Sequence, residues 1–98
     1  MIVKSHRSHE GKKIIAICDK EILGKKIEED KKQLDLCSSF YKGEEKHPDE
    51  IKKMMHSAYI INAVGEKTIN FLIREKMISK ESIKKISNVP YAQVMIDA

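Results

Sequence analysis

The segment Lys13–Cys18, KIIAIC, most constrains what this chain can fold into. Successive side chains of an extended strand point to opposite faces. Ile14, Ala16 and Cys18 then share one face, and Ile15 and Ile17 share the other. A strand that is apolar on both sides belongs inside a sheet, with other elements above and below it. Ile2–Arg7 reads as a second strand, and Ser8-His9-Glu10-Gly11 as the hairpin turn that joins the two.

The rest of the layout follows from local signals. Residues 19–24 read as a helical turn, opened by Asp19 as a cap and closed by Gly24. Residues 25–36 are charged, and only Gln33-Leu34-Asp35-Leu36 alternates as a strand does. Residues 38–46 read as loop, anchored by Phe40-Tyr41 ahead of Gly43. His47-Pro48-Asp49-Glu50 opens a helix, because Pro suits the first turn and carboxylates complement its positive end. Ile51, Met54, Met55, Ala58 and Ile61 continue at helical spacing until Gly65 interrupts. A second helical stripe, Ile69, Leu72, Ile73 and Met77, lies on residues 66–76. After a turn at 79–82, residues 83–86 and 92–96 read as closing strands separated by Asn88-Val89-Pro90. The expected class is α+β: a two-layer sandwich with a mostly antiparallel sheet and two main helices on one face.

At 98 residues the chain is one domain's worth, read as a single α+β domain over 1–98. No stretch approaches the roughly 20 apolar residues that span a bilayer, and the first 13 residues lack a signal-peptide core. The expectation is a cytoplasmic protein with no membrane partner. Cys18 and Cys37 sit in apolar surroundings and form no Cys-x-x-Cys pair, so they read as reduced, buried thiols rather than zinc or redox ligands. No cofactor is expected. The net charge is +4, and the basic excess lies toward the two ends of the chain. Such a balance steers a protein toward polyanions. Seventeen of the nineteen cations are Lys, however, and bidentate phosphate contacts favour Arg. A solvated Lys/Glu surface explains the same composition.

Three places carry chemistry on this reading. Cys18-Asp19 ends a buried strand, and His6 on the neighbouring strand is a candidate base, so the catalytic set would be Cys18, Asp19 and His6. A buried structural thiol beside a capping Asp explains the same residues. For nucleic acid, residues 60–73 resemble part of a helix-hairpin-helix motif, with Gly65 at the turn and Lys67 near the amides of the second helix. Lys25 joins Gly65 and Lys67 as a candidate phosphate contact. Ala63 stands where that motif has its first Gly, and Glu66 places an anion at the helix mouth. For metal, His6 and His9 are three apart on a strand-to-turn segment, with no His-Glu-x-x-His and no third ligand, so no metal site is expected.

The whole chain resembles a small, mainly archaeal family, domain-of-unknown-function family 424. The residues that carry the resemblance are Lys4-Ser5-His6-Arg7, Ala16-Ile17-Cys18-Asp19 with Leu23-Gly24-Lys25, Phe40-Tyr41-Lys42-Gly43, Asn62-Ala63-Val64-Gly65-Glu66, and Val89-Pro90-Tyr91-Ala92-Gln93-Val94. The resemblance implies a compact two-layer α/β sandwich in an archaeal cytoplasm, and it supplies no catalytic residues. The leading expectation is a non-enzymatic module that binds RNA or a ribonucleoprotein surface. One alternative is a small enzyme or ligand-binding protein with a cleft near His6, Cys18 and Asp19. The other is a protein-interaction module, including a homodimer, that uses Met54 and Met55.

Overall fold

The computed structural model describes residues 1–96. Strand β1 (Ile2–Arg7) turns back as β2 (Lys13–Cys18), with Ile2 opposite Cys18 and His6 opposite Ile14. After a short 3-10 turn come β3 (Lys26–Glu29), β4 (Lys32–Asp35) and the two-residue β5 (Glu44–Glu45). Helix α1 (Pro48–Met55) leads into β6 (Ile60–Val64), and helix α2 (Glu66–Arg74) follows at once. A second 3-10 turn precedes β7 (Lys84–Ile86) and β8 (Val89–Met95). Six strands form one sheet in the order β5-β1-β2-β6-β8-β7, while β3 and β4 form a separate hairpin. Every neighbouring pair in the main sheet is antiparallel except β2 and β6.

The fold is therefore α+β with a mostly antiparallel sheet, as expected. KIIAIC does occupy the interior, between β1 and β6. Its Ile15 and Ile17 join Val3, Ile61, Ala63 and Ala92 under Ile51 and Met55 of α1 and Ile69, Phe71 and Leu72 of α2. Both helices thus close the same face. The hairpin β3–β4 lies on the other face, where Ile2, Cys18 and Val64 pack with Leu36, Ile27 and Leu34.

Three local expectations are corrected. The apolar spacing through Ile61 predicts a continued helix, but α1 stops at Met55 and residues 60–64 form a strand. Ile60, Ile61 and Val64 are β-branched and favour extended backbone. Parallel pairing with β2 also buries Ile61 and Ala63 in alternation with the half-buried Asn62. Residues 25–36 hold two strands rather than one. They turn at Asp30, whose φ is 54°, and no Gly marks that turn in the sequence. Finally, Pro90 lies within β8 opposite Lys85. The actual turn is Ser87-Asn88, both at positive φ (50° and 66°), a two-residue connection of the kind that matches strand twist.

Candidate functional site

β2 and β6 run parallel and end side by side, with Cys18 opposite Val64. The next residues are Asp19 and Gly65. The Asp19 carboxylate is 7% exposed and accepts three hydrogen bonds from the first turn of α2. Its Oδ2 takes the Lys67 N–H at 3.1 Å. Its Oδ1 takes the Thr68 N–H and the Thr68 hydroxyl, each at 2.8 Å. Gly65 is what allows this arrangement: its φ is +110°, and a Cβ there would sit 2.3 Å from Asp19 Cγ. The positive end of α2 is thus answered from within the chain.

This geometry revises the helix-hairpin-helix likeness, because a strand and not a helix enters Gly65. The amides of Lys67 and Thr68 already serve Asp19. The Lys67 ammonium pairs with Glu21. That hydrogen bond holds the Glu21 carboxyl below its ordinary range and raises Lys67 above its own. Lys25 is exposed at the root of the β3–β4 hairpin, where its carbonyl accepts the Leu36 N–H at 2.9 Å.

The second candidate set is spread out. Cys18 has no exposed surface, whereas Cys37, expected to be buried as well, is exposed at the hairpin root. Burial pushes the Cys18 thiol up to about 11, with the Asp19 charge adding to the shift. The nucleophile is the thiolate, which this setting opposes. His6 shares a sheet face with Cys18 but lies four residues along the strand pair, about 13 Å away at the usual rise per residue. Its ring stacks on Phe40 with centroids 4.5 Å apart, and its Nε2 donates to the Phe40 carbonyl at 2.8 Å. The structure therefore joins Asp19 to Gly65, Lys67 and Thr68, and leaves His6 with the 38–42 loop. No cluster of three or more His, Cys, Asp or Glu with metal-binding geometry occurs among the described residues.

A different site emerges on the hairpin face of the sheet. Cross-strand register places Lys4, Ala16, Asn62 and Gln93 in one row across β1, β2, β6 and β8. The row above it, Ile2, Cys18, Val64 and Tyr91, packs with the hairpin and Tyr41. The row of Asn62 and Gln93 stays open. It floors a cleft of about 450 Å³ whose rim includes Leu34, Tyr41, Tyr91 and Lys84. Gln93 Nε2 donates to Asn62 Oδ1 at 3.1 Å. Burial pushes the Tyr41 hydroxyl up to about 12, helped by the nearby Cys18. Among the described residues no carboxylate lines the cleft, and neither Lys4 nor Lys84 is in an ion pair. The sequence held one signal for this site: Asn62 and Gln93 are polar residues inside apolar stretches. Read as helix, residue 62 could not be aligned with residue 93.

A model of the family described as "Protein of unknown function (DUF424)" matches residues 6–96. An uncharacterized conserved protein from Methanopyrus kandleri has a similar crystal structure, with a TM-score of 0.79 over 99% of this chain and 93% of that one. The two are 20% identical, so the likeness is one of fold. No curated protein matches the sequence. No described helix is long and apolar enough to cross a membrane.

Proposed function

We propose that this chain, which belongs to the DUF424 family, is a non-enzymatic module that binds RNA or an RNA-bearing surface through the open half of its sheet. The observation that carries this reading is the cleft floored by Asn62 and Gln93 beside Lys84 and the two tyrosines, with no carboxylate among the described lining residues. Lys4 lies in the same cross-strand row, beyond the buried Ala16. Lysines attract the phosphate backbone, amides offer hydrogen bonds, and half-buried tyrosines present ring surface to a base. Lys25, exposed beside the hairpin, adds positive charge near the same side. Gly65 and Lys67 enter as the frame that fixes the end of β6, since the Gly65 N–H donates to the Pro90 carbonyl and Lys67 is engaged with Asp19 and Glu21. The buried, proton-holding Cys18 supports a non-enzymatic role. Two free thiols suit a reducing, cytoplasmic setting.

Fluorescence anisotropy with labelled RNA, run across a salt series, tests this. Affinity should fall as salt rises, and Lys4→Ala with Lys84→Ala should flatten the log–log slope by about one per lysine. Absence of binding at low salt would sink the reading.

A further inference from the structure

We infer that the cleft reads the hydrogen-bonding edge of an unpaired nucleobase, so that the partner strand is single and not duplex; this rests on the RNA-binding reading above. The argument starts from the amide inventory. Asn62 and Gln93 each bring one carbonyl and one NH₂ group. One hydrogen bond joins them, from Gln93 Nε2 to Asn62 Oδ1 at 3.1 Å. That leaves the Gln93 carbonyl as an acceptor and the Asn62 NH₂ as a donor, neither with another hydrogen-bond partner among the described residues. Turning both amides over preserves this inventory, because one acceptor and one donor still remain. The site therefore presents a neighbouring donor and acceptor on neutral groups.

A nucleobase edge offers the same pairing in reverse, whereas a phosphate or carboxylate offers acceptors alone. Asn and Gln side chains engage adenine through such a donor–acceptor pair. In a duplex the Watson–Crick edges face each other, the deep, narrow major groove of A-form RNA keeps side chains from the edges on that side, and the shallow minor groove is recognised mostly by shape and 2′-hydroxyls. A cleft on a sheet face therefore suits a base splayed from a single strand. The surrounding groups agree with this division of labour. Tyr41 and Tyr91 pack against the cluster of Ile2, Cys18, Leu36 and Val64 and also line the cleft, where their rings would serve as stacking surfaces. Lys84 stands exposed on the rim, where a backbone phosphate would pass.

Equilibrium titrations test the inference with single-stranded adenine, cytosine and uracil homopolymers, a duplex of mixed sequence, and the free nucleoside monophosphates. The expected result is binding to single strands well above the duplex and the monophosphates, with an affinity spread of about 10-fold or more among the homopolymers. Asn62→Ala with Gln93→Ala should collapse that spread, while Lys84→Ala should weaken all three homopolymers alike. Circular dichroism confirms that each variant is folded. Single-strand binding with no spread, or a spread unchanged by the double variant, overturns base reading and leaves RNA binding standing. Duplex binding equal to single-strand binding overturns the inference in the same way. Monophosphates binding as tightly as the polymers would overturn the strand as partner and make a free nucleotide the ligand. Failure to bind any of these, with self-association that the double variant abolishes, would overturn both readings in favour of a protein interface.

Discussion

The two faces of the main sheet are finished in different ways. On the helix face, Val3, Ile15, Ile17, Ile61, Ala63 and Ala92 are all buried beneath α1 and α2 in one apolar cluster. On the hairpin face, the row of Ile2, Cys18 and Val64 is sealed, and the next row, buried at Ala16, opens to solvent at Asn62 and Gln93. The helix cover is tied to the sheet by continuous chain and close packing. The hairpin cover shares no strand ladder with the main sheet. The larger buried apolar cluster lies on the helix side, and part of the other face stays open. Polar residues in the middle of a sheet survive there because they hydrogen-bond across strands and keep access to water.

The sharpest way to break this comparison is to truncate one residue on each face. Phe71 packs on the helix face and is 2% exposed. Phe71→Ala should cost about 3–5 kcal/mol, since it removes buried ring surface and leaves a cavity. Asn62→Ala, on the open row, should cost only about 0.5 kcal/mol, the scale of ordinary surface changes. Urea titrations of both variants measure the difference. Similar costs would mean that the two faces share the stabilisation equally.

A smaller effect separates the faces by pH. Cys18 and Tyr41 both sit on the hairpin face, and burial raises both groups, to about 11 and about 12. A folded-state value above the unfolded one means that the native protein holds the proton more tightly. The stability this gives is complete below the unfolded value, 9.0 for Cys18, and is lost as pH rises through about 11. For Cys18 alone the loss should reach about 1 kcal/mol by about pH 10. Cys18→Ala should remove that part of the alkaline slope. A slope identical in the variant would show that the thiol contributes nothing to it.

The helix face was largely legible in the sequence because its signals are local and periodic. KIIAIC announced an interior strand, and the stripe Ile69, Leu72 and Ile73 announced α2. The hairpin face was not. Its hairpin turns at Asp30-Lys31, which carries none of the usual Gly signals, and its second turn, Ser87-Asn88, was masked by the neighbouring Pro90. The cleft floor depends on residues 62 and 93 lying in register, a relation set only by the order of strands in the sheet. Misreading 60–64 as helix removed the strand that carries residue 62. Cys18-Asp19 and Gly65 stand out in the sequence, and in the structure the Asp19 carboxylate and the glycine make one joint between β2 and α2.

The smallest expected effect probes how independently the hairpin moves. Besides the packing of Ile27, Leu34 and Leu36, it is held by Glu29 Oε1, which accepts the Ser87 N–H at 2.8 Å. A two-stranded hairpin is marginal alone, so such tethers decide its opening. Glu29→Ala should cost about 0.5–1 kcal/mol, the scale of one exposed hydrogen bond. Because the hairpin has its own ladder, that cost should appear as local opening. Amide exchange should quicken across residues 26–35 and stay unchanged in β2 and β6. Equal acceleration in all three regions would mean that the hairpin and the helix-face core unfold together. The open row at Asn62 and Gln93 would then border a wall as rigid as the helix-face core.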